Sequence, residues 1–433
     1  MNHIFTEASE LPTISTIGEE LADGSVIELV KNDHTIQPNL LIWNGIDSLL
    51  AERLEHRGAV YVPREIDPTV VRGLHLPSSA SEYGTTAKLF SELEELISRA
   101  TSLPEATVQR LTFFVIATWF ADQLPQAPFL WIVAPPTAST ESIRQLLPLV
   151  CRRVLWMSGL SLTILRSLPM ELRPTIGVEA TVVTQSLLKA LCASNRRGSY
   201  IPSGKKILDV SCAKIVIASQ PLRDPAAAGF PLEVTLTPSR TFGPSMSTAE
   251  AERVAHEFQG KLLMYRLRSL GKLVPPALDL SEFTAPTQEL ATTLATCIVG
   301  GDKLRSQIVS LLKERDQEIQ VDRTSILESI VIEGLLAACH RLKRRNVSVV
   351  ELTQNVNTIL RARGGSLEVS PEHVGWRLRA LGLHTTFLTG GRKGIALVDA
   401  TCSRVHTLAS AYGVRTIRTG GVPSENCKFC RAA

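Results

Sequence analysis

An apolar pentad, Phe129-Leu130-Trp131-Ile132-Val133, runs into Ala134-Pro135-Pro136-Thr137-Ala138-Ser139-Thr140-Glu141 and then into a helical pattern. Strand, tight loop and helix in that order is the frame in which a G-x-x-x-x-G-K-[ST] loop holds a triphosphate. The glycines let backbone N–H groups crowd the phosphates, the lysine neutralises them, and the hydroxyl binds Mg²⁺. Here Ala134 and Ser139 stand at the glycine positions, Thr140 at the lysine and Glu141 at the hydroxyl. Glu141 would set a negative charge beside the phosphates with no lysine to offset it, which is a repulsive contact. A second apolar run, Leu172 to Glu179, ends in one acid. Where a Mg²⁺-binding Asp and a water-positioning Glu would follow one another, Val178 takes the first place and Glu179 the second. Strand context would bury Glu179. A third strand, Ala213 to Ala218, leads to Ser219-Gln220, where a polar side chain would meet a γ-phosphate. The frame of an ATP site is present and the charges that handle phosphate are missing, so turnover of ATP is not expected.

A second constellation lies near the C-terminus. Cys427-Lys428-Phe429-Cys430 is a C-x-x-C, and Cys402 and His406 are one helical turn apart. If the two pairs meet, three sulfurs and one imidazole make a valid structural zinc set. The other cysteines, Cys151, Cys192, Cys212, Cys297 and Cys339, are scattered in apolar segments and read as reduced core residues. His340 is on a helical pattern and reads as an interfacial or surface residue. No Ser/His/Asp or paired-carboxylate arrangement stands out.

The succession from Phe129 to Leu236 resembles a family of P-loop proteins of uncharacterised role found with phage and plasmid primases, relatives of AAA+ and helicase ATPases. Three segments carry the resemblance: Arg173-Pro174-Thr175 leading into the second strand, Asn195-Arg196-Arg197-Gly198 after the following helix, and the Lys214 to Leu222 strand and turn. It covers about residues 110 to 240 and, more loosely, the C-terminal domain. Gly229-Phe230-Pro231 stands where the family carries arginines. The resemblance implies an α/β P-loop AAA+/RecA-like core and a place in a replication, mobile-element or phage-defence assembly, with other proteins of that assembly as partners and an oligomer as an open alternative.

At 433 residues the chain exceeds the usual size of one domain. Residues 1–80 alternate short apolar runs with turn signals and read as a small β-rich module. Residues 81–124 turn to helical periodicity and read as a brace; 125–240 form the core, and 241–320 a helical lid. In 321–413 three helices and a β-ribbon predict a winged helix. Ser348 to Glu351 is a capping box opening its second helix, and Ser370-Pro371 caps its third. In that fold the third helix enters the major groove and the ribbon tip reaches the backbone. Arg377 and Arg379 on that helix are candidates for the groove, and Arg392 and Lys393 at the ribbon tip for phosphate. Lys343, Arg344 and Arg345, with Arg196 and Arg197 in the core, complete the candidate nucleic-acid contacts. Residues 414–433 are a basic tail holding the C-x-x-C.

Charge supports the polyanion reading. Residues 341–433 hold 15 Lys or Arg against 5 Asp or Glu, while the first 340 hold 31 against 37. The N-terminal stretch has neither a basic nor an apolar signal region, and no apolar run is long enough to span a bilayer. A cytoplasmic protein without membrane partners is therefore expected. Non-catalytic binding of nucleic acid, double-stranded DNA in the first place, is the favoured function. A divergent DNA-dependent ATPase and a protein–protein adaptor using the winged helix are the alternatives. No cofactor is expected; ATP on the degenerate loop and zinc on the Cys/His set stay open.

Overall fold

The structure is a computed structural model, and it describes residues 11–32, 34–180, 183–203, 206–222, 231–236, 246–340, 345–364, 368–388, 391–414, 427 and 429–430. It divides into two compact units, residues 1–312 and 313–433.

The first unit begins with seven short strands. β1 (Thr13–Thr16) runs parallel to β7 (Ala59–Pro63), which β6 (Leu54–His56) flanks. β2 (Gly18–Glu20), β3 (Val26–Val30), β4 (Asn39–Trp43) and β5 (Ser48–Ala51) form an antiparallel meander. Helices α1 (Pro68–Gly73), α2 (Thr86–Thr101) and α3 (Glu105–Thr118) lead to a five-stranded sheet. Its strands are β8 (Phe129–Val133), β9 (Val154–Met157), β10 (Thr175–Ala180), β13 (Lys214–Ala218) and β14 (Leu232–Thr235). Helices α4 (Glu141–Val150), α5 (Leu162–Ser167) and α6 (Gln185–Ala193), and a hairpin of β11 (Tyr200–Ser203) with β12 (Lys206–Asp209), fill the connections. All five strands are parallel, in the order β14–β8–β13–β10–β9.

Strands covered on both faces need not alternate in polarity, and β8 and β13 are buried throughout. Leu130, Ile132, Ile215 and Ile217 face a core shared with α2, α3, α4 and α7 (Thr248–Ser269). Phe129, Trp131, Val133, Val216 and Ala218 face α6 through Leu187, Leu188 and Leu191. The sheet edge at β9 escaped the sequence reading because Val154-Leu155-Trp156-Met157 is short. It is held by an accommodation in β10: a Cβ on Gly177 would lie 2.2 Å from the Trp156 ring, so only glycine leaves room.

The N-terminal strands share this interior. Glu28 of β3, 2% exposed, accepts hydrogen bonds from Arg152 at 3.0 and 3.1 Å, Arg153 at 2.8 Å and Arg266 at 2.5 Å. Arg266 also donates to both oxygens of Asp122, at 2.9 and 2.6 Å. Burial pushes the Glu28 carboxyl up, but Arg152, Arg266 and Arg153 together outweigh it and hold the group at about 2. Charges that deep are tolerated only when paired and hydrogen-bonded.

α8 (Ala285–Thr296) completes the unit, and the division between units falls within α9 (Asp302–Ser325). The second unit follows the order α10 (Leu327–His340), β15 (Asn346–Ser348), α11 (Val349–Ala362), α12 (Pro371–Ala380), β16 (Thr386–Phe387), β17 (Lys393–Ala396) and α13 (Asp399–Ala411). Its antiparallel sheet runs β15–β17–β16. Ile330, Val331 and Leu335 pack with Leu352, Val356, Val374, Leu378, Ile395 and Val405 in one core. The Ser348 hydroxyl accepts the Glu351 N–H at 3.2 Å, and that of Ser370 accepts the His373 N–H at 3.3 Å, so both expected caps form. β15 was not anticipated: three residues, the last of them the cap itself, carry no periodicity of their own. Among the described residues no helix is long and apolar enough to cross a membrane.

Candidate functional site

The loop 134–140 leaves β8 at the carboxyl edge of the parallel sheet, where ligands of such sheets bind. Ala134 donates its N–H to the Ala218 carbonyl at 2.7 Å, which seats the loop beside β13. Thr140 Oγ1 donates to Glu179 Oε1 at 3.2 Å, so the lysine-position and acid-position residues do meet. Glu179 is exposed rather than buried, because it is the next-to-last residue of β10 and clears the sheet edge; Val178 before it is buried. Glu141 opens α4, where it accepts from Arg144 at 2.5 Å and Gln145 at 2.9 Å. The bond from Arg144 holds its carboxyl below the usual range. Ser219 and Gln220 are exposed, and the Gln220 carbonyl accepts from Trp131 Nε1 at 3.1 Å.

Arg173, the Asn195–Gly198 loop and Lys214 gather at the other edge. Ala127 donates to the Asn195 carbonyl at 2.7 Å and Arg197 to the Pro125 carbonyl at 2.9 Å, which sets the Asn195–Gly198 loop beside the segment leading into β8. Lys214, fully buried at the start of β13, donates to the carbonyls of Ser194 and Cys212 at 3.0 and 2.9 Å and to Asn195 Oδ1 at 3.4 Å. Burial holds its ammonium below the ordinary lysine range. Arg173 donates to Asp209 at 2.9 Å and to Ser211 Oγ at 2.8 Å. These motifs brace the amino edge of the sheet. Arg196 and Arg197 are exposed there, with Arg196 paired to Glu289 at 2.8 Å.

In the second unit Arg377 pairs with Glu328 of α10 at 2.7 Å. Arg379 is exposed on α12 beside Trp376, which is 61% exposed and meets the His373 ring at a tilt of 59° with ring centroids 5.4 Å apart. On the hairpin, Phe387 is 74% exposed with the Lys393 ammonium 5.7 Å from its ring centre, and Arg392 is exposed next to them. Arg345 is exposed, and its carbonyl accepts the Leu397 N–H at 2.8 Å. Lys343 and Arg344 lie outside the described residues.

Of the expected sulfur–imidazole set, three members converge and one does not. His406 Nε2 lies 3.4 Å from Cys427 Sγ, and the fourth member is His340, whose Nε2 is 3.0 Å from His406 Nε2 and 3.2 Å from Cys430 Sγ. Cys402 is displaced because its side chain turns to Cys339; what it offers His406 is its backbone carbonyl, 2.7 Å from Nδ1. Burial, then His406, hold His340 below the ordinary histidine range. Sequence reasoning missed His340 because only the packing of α10 on α13 brings it to residues far along the chain. Its place at the last position of α10 was the available signal.

No family model matches the chain. A search of curated proteins also returns no match. Among solved structures, the chain is similar to the apo A form of the NrS-1 C-terminal region at 10% identity, over 86% of this chain and 96% of that one, with a TM-score of 0.36. A full-length MCM homologue from Methanopyrus kandleri is 11% identical over 67% and 76%, with a TM-score of 0.33. Drosophila ORC bound to DNA is 14% identical over 79% and 94%, with a TM-score of 0.20.

Proposed function

We propose that this chain binds double-stranded DNA through its second unit, and that its first unit is a P-loop-derived scaffold that does not turn over ATP. The observation that carries the reading is a pair of exposed aromatic and basic groupings in this unit. Trp376 is exposed on α12 with Arg379, and Phe387 is exposed on the β16–β17 hairpin with Arg392 and Lys393. Exposed aromatics together with cations that have no ion pair among the described residues suit a ligand offering phosphate and flat or apolar surfaces. The order of three helices and a three-stranded antiparallel sheet agrees with a winged helix, in which α12 would enter the major groove.

The order β14–β8–β13–β10–β9 supports an AAA-like origin for the first unit, since one strand separates the loop-bearing β8 from the acid-bearing β10. Thr140 is engaged by Glu179, and Glu141 at the start of α4 by Arg144. Without a lysine or a Mg²⁺-binding Asp the loop has nothing to stabilise a transferring phosphoryl group.

Fluorescence anisotropy with a labelled duplex tests this. Binding should weaken with salt at a log–log slope of about −0.9 per phosphate contacted. Arg379→Ala/Lys393→Ala should reduce affinity at least about tenfold and flatten that slope by about one per lost phosphate contact. Wild-type affinity in the double variant would overturn the DNA reading. ATP turnover that rises with DNA and disappears in Glu179→Gln would overturn the scaffold reading.

A further inference from the structure

We propose that His340, His406, Cys427 and Cys430 hold one Zn²⁺ in a tetrahedral site that staples the C-x-x-C segment onto α10 and α13. The four donor atoms all lie within 4.8 Å of one another. Three of the separations are 3.0 Å between the imidazole nitrogens and 3.2 and 3.4 Å between nitrogen and sulfur. A tetrahedron with zinc–nitrogen and zinc–sulfur bonds of about 2.0 and 2.3 Å has edges of about 3.3 to 3.8 Å, so shifts of about 1 Å or less in the donor separations seat the ion.

The surroundings orient the donors. His406 Nδ1 donates to the Cys402 carbonyl at 2.7 Å, which leaves Nε2 as the lone-pair atom and aims it at the other three. The Phe429 ring, between the two cysteines in sequence, lies 5.4 Å from the His406 ring and packs against that ligand. The Cys430 N–H donates to the Cys427 carbonyl at 3.1 Å, the turn that brings two sulfurs of a C-x-x-C to one ion. Two thiolates and two imidazoles form a soft set that selects Zn²⁺ over Mg²⁺ or Ca²⁺. No carboxylate belongs to the cluster among the described residues. On binding, each thiol gives its proton to solvent and the neutral imidazoles give none, so uptake releases protons and weakens in acid.

The site closes with four protein ligands, which is the structural and not the catalytic form. Its role is to fix the end of α10 against the middle of α13, and it stands whether or not the unit binds DNA.

The test uses the full-length protein under reducing conditions, with metal content measured by mass spectrometry. About one zinc per chain is expected, and Cys427→Ser/Cys430→Ser should lose nearly all of it. Cys402→Ser should keep the metal, whereas a Cys402/His406/Cys427/Cys430 site would lose it. Stripped wild-type protein titrated with Co²⁺ needs no variant. A tetrahedral d–d spectrum with a thiolate charge-transfer band saturating at about one equivalent supports the site. Stripped, reduced protein that takes up neither Zn²⁺ nor Co²⁺ would overturn it, as would metal retained in His340→Ala but lost in Cys402→Ser.

Discussion

Two sets of basic side chains, one in each unit, meet opposite fates. In the first, Arg152, Arg153 and Arg266 are turned inward on Glu28 and Asp122, and Arg173 on Asp209. In the second, Arg379, Arg392 and Lys393 are displayed beside Trp376 and Phe387. A guanidinium that satisfies its donors internally is unavailable to phosphate, whatever it adds to the net charge. What a basic residue is paired with therefore matters more than how many there are, and Arg377, exposed but paired with Glu328, shows an engaged guanidinium inside the second unit.

The sharpest break of this contrast is Glu28→Gln. It leaves three buried guanidinium groups facing Asp122, and removing one partner of a buried charge set costs about 3–5 kcal/mol. Urea unfolding should register that loss, while DNA affinity of the folded protein stays unchanged. The same carboxyl predicts an acid limb. It is held at about 2 when folded against 4.5 as its ordinary value. A depressed carboxyl contributes stability that is present above the higher value and lost as pH falls towards the lower. Wild-type urea midpoints should drop steeply across that window, and those of Glu28→Gln less so. Equal slopes would mean Glu28 is not the group that titrates.

Next in size is Gly177→Ala, which drives a Cβ into the Trp156 ring and should cost about 1–3 kcal/mol by overpacking. The smallest expected effect separates the two modes within α12. Arg379→Ala should weaken DNA binding by about 1–3 kcal/mol, as for loss of a base or phosphate contact. Arg377→Ala should weaken it less, since that guanidinium is already engaged. The reverse order in anisotropy titrations would place the DNA-facing side of α12 around Arg377.

What sequence reading recovered was local. The strand–loop–helix order around residues 129–150 follows from apolar runs and caps, as do β10, β13 and the openings of α11 and α12, and each is settled within a few residues of itself. β9 and β15 were invisible because four- and three-residue strands carry too little pattern. The ion cluster was invisible because Glu28 in Val-Ile-Glu-Leu-Val looks like the solvent side of an alternating strand. Its burial depends on Arg152 and Arg266, far along the chain. His340 failed to appear in the metal set for the same reason, and Cys402 entered it only because one helical turn is easy to count.

The Glu28 contact also bears on how the polypeptide can be cut. A fragment starting at residue 81, where the composition suggests a seam, would strand Arg152, Arg153 and Arg266 in an apolar interior with one carboxylate among them. The first eighty residues behave as an inserted keystone, so limited proteolysis or gene trimming at that seam should yield insoluble product, and any exchange of this segment between relatives would have to carry the acid with it.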